Sequence, residues 1–306
     1  MILDRSIDLY LSMTWPKRRT AQHGICGHIF EIIDYYLLLK DRYNVGILIG
    51  EEIFYDYEQV IKDKYNLTTQ ELDTLLEKTT FVDRPRVLIG NNILFVDGLL
   101  KDNFQHGGIK LMFKNIFTFR CTPKSNHTDL HYKNVTLLQD QRIYKDDNDI
   151  AINYVKKLKL DRLRTIKKTT DNIALVYGTG NCRMLDIECL IEIINTYDFD
   201  KYLFVTNIDY DIKHKQVEVI KPPVLNLFEE FSTYIYTPTQ KGFDCSSRLV
   251  AECKHYNKNV IYHNITDEYL SKDLGLKYRR IDTEQDMSRV SLTHNDYMIE
   301  LLNEKL

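Results

Sequence analysis

Residues 233–264 place two short apolar runs on either side of a loop and a segment with helical spacing. Thr233–Tyr236 and Asn259–Tyr262 read as buried strands, and the segment from about Cys245 to Tyr256 reads as a helix with candidate N-cap residues. A strand, a loop, a helix and a second strand predict a parallel β-α-β unit. Because the loop and the helix N-terminus of such a unit expose free backbone N–H groups, the segment predicts an anion site, for example for a phosphate.

The loop and helix of this unit carry charged and hydroxyl side chains. Lys241 lies in the loop, and Arg248 and Glu252 are four residues apart on one helix face. The candidate N-cap or first-turn residues are Asp244, Ser246 and Ser247. As isolated residues they favour a capped surface helix with an intrahelical ion pair. The order of strand, loop, helix and strand around them favours a binding site instead.

The pattern of strand, turn and helix recurs near the start of the chain and again near residue 173. Residues 140–170 between the two halves are rich in charge and predict an interdomain connection that includes a helix. With 306 residues, 43% of them hydrophobic, the chain is long enough for two cores. We therefore predict an α/β protein with two Rossmann-like, doubly wound domains that face each other across a cleft. The domains comprise residues 1–165 and 166–282, and a helix at 283–306 crosses back to the first domain.

Two further loops carry residues suited to binding. GTGNCR closes the first strand of the second domain; Gly178 and Gly180 would let the backbone approach a ligand, and Arg183 could bind phosphate oxygens. The loop after the first strand of the chain contains Trp15, Lys17, Arg18 and Arg19, followed by His23, Gly24, Gly27 and His28. A solvated run of charge is the simplest interpretation of its basic residues. At the mouth of a cleft, however, the same residues predict phosphate contacts and base stacking.

Composition and charge exclude several other classes of protein. The net charge of −3 excludes a generally basic protein, and no stretch reaches the ~20 continuous apolar residues of a membrane span. The N-terminal residues lack the pattern of a signal peptide, and six scattered cysteines without a C-x-x-C pair suggest neither a zinc ribbon nor a disulfide framework. We expect a cytoplasmic protein, and the abundance of Tyr, Lys, Asn and Ile is typical of an A/T-rich genome such as many phages have.

The segment DCSSRLVAE followed by KNVIY resembles the nucleotide-sugar-binding half of GT-B glycosyltransferases. The resemblance implies that Glu252 binds the nucleotide ribose and that Asp244 to Ser247 face the donor sugar and diphosphate. It also implies that Gly24 and Gly27 approach the donor, and that Arg183 and Lys241 hold the diphosphate and replace a catalytic metal. The family's first acidic residue is usually Glu, whereas Asp244 stands here.

An inverting transferase of this kind needs a general base, for which we select Asp97 with His23 as a second catalytic candidate. The segment ILFVDGLL places Asp97 at the end of a buried strand and is similar to the equivalent strand of T-even phage β-glucosyltransferases. An Asp that caps a turn is an equally good interpretation. These resemblances imply a metal-independent hexosyl- or pentosyltransferase without a cofactor. They imply a UDP-sugar as co-substrate, 5-hydroxymethylcytosine in double-stranded phage DNA as acceptor, and a location in the host cytoplasm.

Three alternatives remain open from the sequence. The first keeps the chemistry and changes the acceptor to a cell-surface glycan or a lipid-linked sugar, which predicts association with a membrane. The second is a nucleotide-sugar 2-epimerase, which shares the fold and needs no acceptor. The third is a nucleic-acid-binding protein without catalytic activity.

Overall fold

The structure is a computed structural model that describes residues 1–13, 27–50, 54–82, 86–96, 110–118, 134–138, 149–152, 159–177, 187–206, 209–221, 227–237, 248–263, 277–280 and 284–306. Its strands are β1 Leu9–Ser12, β2 Val45–Gly50, β3 Thr79–Val82, β4 Val87–Phe95, β5 Lys110–Thr118, β6 Val135–Leu137, β7 Asp149–Ile152, β8 Ile173–Tyr177, β9 Lys201–Val205, β10 Val217–Ile220, β11 Thr233–Tyr236, β12 Asn259–Tyr262 and β13 Lys277–Arg280. Its helices are α1 Gly27–Leu39, α2 Phe54–Lys64, α3 Thr69–Glu77, α4 Ile187–Thr196, α5 Arg248–His255 and α6 Glu284–Lys305, with short 3-10 helices at Leu160–Arg162 and Leu227–Glu229.

The chain divides into two compact units. The first unit comprises residues 1–145, 156–164 and 288–306, and the second comprises residues 146–155 and 165–287. The last turns of α6 contact the first unit, where the Tyr43 hydroxyl lies 2.5 Å from Asn303 Oδ1 and the Asn115 side-chain amide donates to the Lys305 carbonyl at 3.1 Å. None of the helices in the described ranges combines the length and apolar content needed to cross a membrane.

The sheet of the first unit is parallel, with the described strands in the order β3-β2-β1-β4-β5-β6. All residues of β1 and β2 are buried, as expected for central strands that are covered on both faces. Helix α3 begins with a capping box: Thr68 Oγ1 accepts from the Glu71 backbone N–H at 3.2 Å, and Glu71 Oε2 accepts from the Thr68 N–H at 3.0 Å.

The sheet of the second unit is also parallel, with the order β10-β9-β8-β11-β12. Helix α4 packs on one face, where Leu190 and Ile193 join a core with Val176 of β8. Helix α5 packs on the other face, where Val250 and Cys253 join a separate core with β8 and β11. Covering of both faces is the arrangement of a doubly wound sheet.

Both sheets therefore share one strand order, in which the first strand of each sheet along the chain lies between the second and the fourth strand of that sheet. The predicted α/β class with two doubly wound parallel sheets is confirmed. The direction of winding reverses between β1 and β4 in the first unit and between β8 and β11 in the second. Ligands of open parallel sheets bind outside the carboxyl ends of the strands at such a reversal. The two candidate sites are therefore the carboxyl ends of β1 and β4 and of β8 and β11.

Two segments differ from what local sequence signals suggest. Consecutive Asn residues are typical of a turn, but β4 continues through Asn91 and Asn92. Asn92 is accommodated because its amide donates to the Asp8 carbonyl at 2.7 Å and its Oδ1 accepts from Asn115 at 2.8 Å. Residues 149–152, which lie in the connection predicted at 140–170, form β7, which pairs in parallel with the distant β13.

Candidate functional site

The carboxyl edge of the second sheet is the first candidate site. Strands β8 and β11 are paired up to Val176 and Ile235, so the strand ends that precede two loops lie side by side at the point where the winding reverses. These loops contain the predicted donor-binding residues Gly178, Gly180, Arg183, Lys241, Asp244, Ser246 and Ser247. The side chains lie outside the described residues, and their roles remain predictions. The topology brings together the strand ends from which the two loops begin.

Helix α5 follows the second of these loops and carries Glu252 in its second turn. Its carboxylate is buried, and Oε1 lies 2.5 Å from Arg248 Nε, one turn earlier on the same helix. The two side chains are only 3% and 6% exposed, so the pair forms in the interior and not on the surface. The ion pair was expected from the spacing of four residues, whereas its burial was not. The predicted contact of Glu252 with a ribose stays a prediction.

The Glu252–Arg248 pair influences a neighbouring phenol. Burial raises the pKa of Tyr256, and the negative charge of Glu252 adds to that effect while Arg248 opposes it. Tyr256 packs its ring at 5.1 Å from that of Phe228 in the core of the second unit. Tyr256 therefore contacts the apolar core with its ring, while the charges of the ion pair act on its hydroxyl group.

The carboxyl edge of the first sheet is the second candidate site. Ser12 of β1 and Phe95 of β4 are paired at the reversal of winding, and the Val96 N–H donates to the Ser12 carbonyl at 2.9 Å. Asp97 comes directly after Val96 and therefore follows the strand next to the one that leads into the basic loop. The remaining predicted residues of this edge, Trp15, Lys17, Arg18, Arg19, His23 and Gly24, lie outside the described residues, as does Asp97. Gly27 is exposed and begins α1.

The first turn of α1 holds a histidine and a carboxylate that lie close together. His28 Nδ1 is 3.2 Å from Glu31 Oε2, with 34% of the His28 side chain exposed and 3% of the Glu31 side chain. Asp34, one turn further on, is fully buried, and the Tyr65 hydroxyl lies 2.9 Å from its Oδ1. The sequence drew attention to His28 but not to either acid. The spacing of three residues in H-x-x-E was the available signal for the first contact.

A buried histidine lies just after β12. His263 is 3% exposed; its Nδ1 is 3.2 Å from the Tyr197 hydroxyl, and its Nε2 is 3.6 Å from Glu192 Oε1 of α4. Burial lowers the pKa of the His263 imidazole, and the Glu192 charge opposes that shift only in part. The sequence analysis missed this residue because nothing in the letters YHN indicates burial.

Among the described residues no group of three or more His, Cys, Asp and Glu side chains could hold a metal ion. The loops with the predicted diphosphate ligands lie outside that part of the chain. A metal-independent reaction therefore remains a prediction.

Comparisons with known proteins give structural similarities and no family. No protein-family model matches the chain, and no curated protein matches it. Among solved structures, it is similar to the apo form of the lipopolysaccharide outer core galactosyltransferase WaaB, with 8% identity over 97% of this chain and 99% of the other and a TM-score of 0.40.

Two other solved structures show a similar level of likeness. For the spinosyn forosaminyltransferase SpnP the identity is 8%, the coverage 99% and 96%, and the TM-score 0.34. For MurG from Acinetobacter baumannii the corresponding values are 7%, 97% and 98%, and 0.31. At this level of likeness, strand order and the residues themselves are the basis for inferring function.

Proposed function

We propose that the chain is a glycosyltransferase of the GT-B type that moves a sugar from a nucleotide-sugar donor, a UDP-sugar in the first place, to a hydroxyl acceptor. One observation carries the proposal. The two parallel sheets have the same strand order, and in each sheet the winding reverses between the two strands that precede the loops with the predicted binding and catalytic residues. A donor site and an acceptor site, one for each sheet, are what a reaction between two substrates needs.

The donor belongs at the edge of the second sheet. Arg183 and Lys241 lie in the two loops that leave β8 and β11, and in this proposal they bind the diphosphate and stabilise the charge that develops on it as the sugar leaves. Glu252 follows on α5, and in this proposal its carboxylate, held by Arg248, accepts hydrogen bonds from the ribose hydroxyls.

The acceptor belongs at the edge of the first sheet. A base removes the proton from the acceptor hydroxyl, the oxygen attacks the anomeric carbon, and the bond from that carbon to the diphosphate oxygen breaks. Asp97 and His23 are the predicted bases. His28 is a further candidate in the same role, because Glu31 at 3.2 Å would stabilise its protonated form.

For the acceptor we propose 5-hydroxymethylcytosine in double-stranded DNA, on the basis of the run Lys17, Arg18 and Arg19 and of Trp15 in the loop after β1. A lipid-linked sugar is the second candidate. It is favoured by an exposed apolar and basic face of the first unit, which the next subsection describes.

A transfer assay with labelled UDP-sugars tests the proposal, with hydroxymethylcytosine duplex and a lipid-linked sugar as separate acceptors. We expect transfer to one of them, and at least a tenfold loss for Arg183→Ala and for Lys241→Ala. Lys213→Ala is the matched control, because this lysine is in the second unit and 84% exposed. Conversion of the UDP-sugar into its 2-epimer without any acceptor would overturn transfer in favour of the epimerase alternative.

A further inference from the structure

One face of the first sheet carries a row of apolar side chains in contact with solvent. Ile2 is bridged in parallel to Ile89 of β4, and Ile89 is paired with Met112 of β5, so the three side chains lie side by side on the same face. Ile2 is 68% exposed and Met112 is 47% exposed; Met1, next in the chain to Ile2, is 44% exposed. Single exposed apolar residues are ordinary, but a row across neighbouring strands is a patch.

Strand β5 surrounds this row with positive charge. Its residues alternate, with Leu111 and Phe113 buried and Lys110, Met112 and Lys114 exposed. Because side chains two residues apart share a face, both lysines flank Met112 on the outer side. Arg86, just before β4, is also exposed.

The charges of this face lack acidic partners in the described part of the chain. No ion pair there involves Arg86, Lys110 or Lys114. The nearest acid along the chain from Ile2 is Asp4, which follows it by two residues, accepts from the Ser6 N–H at 2.9 Å and is next to Arg5. The face is therefore basic at its rim and apolar at its centre.

Three occupants are conceivable, and the chemistry favours one. A second copy of the chain would bring Lys110 and Lys114 against the same lysines, which is repulsive. Duplex DNA offers phosphates to the lysines, but the row of Ile2, Ile89 and Met112 has no aromatic ring to stack and no polar group for base edges. A bilayer with anionic lipids offers phosphates to the cations and an apolar boundary to the row.

We propose that the face formed by Ile2, Ile89, Met112, Lys110 and Lys114 docks the protein on a membrane that contains anionic lipids. The lysine ammonium groups bind lipid phosphates while Ile2 and Met112 enter the boundary between headgroups and acyl chains. The inference does not require that the protein transfers a sugar, since the face lies at the amino ends of β4 and β5, away from the carboxyl edge proposed for the substrates.

The test is co-sedimentation of the full chain with vesicles of phosphatidylcholine alone and of phosphatidylcholine with phosphatidylglycerol. We expect binding only to the anionic vesicles, weaker at higher salt, and about 30-fold weaker binding for Lys110→Gln/Lys114→Gln at low salt. Ile2→Ser/Met112→Ser weakens binding with the salt dependence retained. The matched control Lys213→Gln/Lys215→Gln removes the same number of positive charges from exposed positions of the second unit. We expect it to bind the vesicles like the wild type.

Other outcomes would overturn the proposal. They are equal binding of the lysine variant and the wild type, binding to duplex DNA that the lysine variant loses while vesicles stay unbound, or a dimer in solution that Met112→Ser dissociates. Should a variant fail to fold, the wild-type comparison of neutral and anionic vesicles at two salt concentrations still decides. Stabilisation by UDP, measured on the same samples, reports on the proposed function separately.

Discussion

The buried ion pair of α5 yields the sharpest prediction about stability. Arg248→Met leaves the Glu252 carboxylate in an interior position that is 3% exposed, without the guanidinium that lies 2.5 Å from it. Breaking a buried pair in this way costs about 3–5 kcal/mol, because the carboxylate stays in the interior and loses its contact with the guanidinium. We therefore expect the free energy of unfolding of the second unit to fall by about that amount, as measured by urea denaturation with far-UV circular dichroism.

A matched pair on the surface serves as the control. Glu58 and Lys62 of α2 have the same spacing of four residues and the same 2.5 Å contact, but their side chains are 55% and 48% exposed. Lys62→Met is expected to cost no more than about 0.5 kcal/mol. Equal effects of Arg248→Met and Lys62→Met would refute the reasoning that burial decides the cost.

The double variant Arg248→Met/Glu252→Leu separates the cost of a buried carboxylate without its guanidinium contact from the loss of the pair itself. Because it removes both charges and retains apolar volume, we expect it to recover most of the stability that Arg248→Met loses. If the double variant is less stable than the single one, the carboxylate makes favourable contacts beyond Arg248.

Three further predictions concern stability. Because burial lowers the pKa of His263 below its ordinary 6.5, the unfolded chain takes up a proton more readily than the folded chain, and stability should fall as the pH drops from 6.5 toward the folded pKa. In urea denaturation at pH 7.5 and 5.5, the difference in unfolding free energy between the two pH values should be smaller for His263→Gln than for the wild type. The Arg162 guanidinium and, next, the Thr68 N–H lower the pKa of the Glu71 carboxyl to about 2, so the carboxylate stabilises the fold above pH 4.5 and this stabilisation is lost as the pH falls to about 2. Because both partners are partly exposed, we expect Glu71→Gln to reduce the loss of unfolding free energy between pH 4.5 and 2 by less than about 1 kcal/mol. Gly46→Ala should lower stability by about 1–3 kcal/mol in thermal melts, because a Cβ would lie 2.7 Å from the Tyr10 ring; an unchanged melting temperature would show that the ring moves freely.

Local signals in the sequence predict much of the fold. Continuous apolar runs indicate the central strands, and Thr68 with Glu71 indicates the start of α3, because these features depend on residues a few positions apart. Pairing between distant segments leaves no such signal. Strand β7 could not be recognised without β13, and β4 runs through Asn91 and Asn92 only because Asn115 and the Asp8 carbonyl satisfy the Asn92 side chain.

The candidate site is predictable to a similar degree. The spacing of Arg248 and Glu252 indicates their contact, whereas their burial depends on how α5 packs against the second sheet. His263 and Glu31 were missed for the same reason, since burial is set by tertiary packing and not by neighbouring letters. The chemistry of the loops stays a prediction from the sequence, and what the topology adds is that the strands before those loops end at the reversals of winding.

Titration calorimetry with UDP tests the central claim most directly, using the full chain, Arg183→Ala, Lys241→Ala and the control Lys213→Ala. We predict that UDP binds the wild type and the control equally, and that each of the two loop variants binds at least tenfold more weakly, because each loses a charged contact to the diphosphate. No heat of binding with UDP or any other nucleoside diphosphate, or equal affinity in all four proteins, would contradict a donor site at the carboxyl edge of the second sheet.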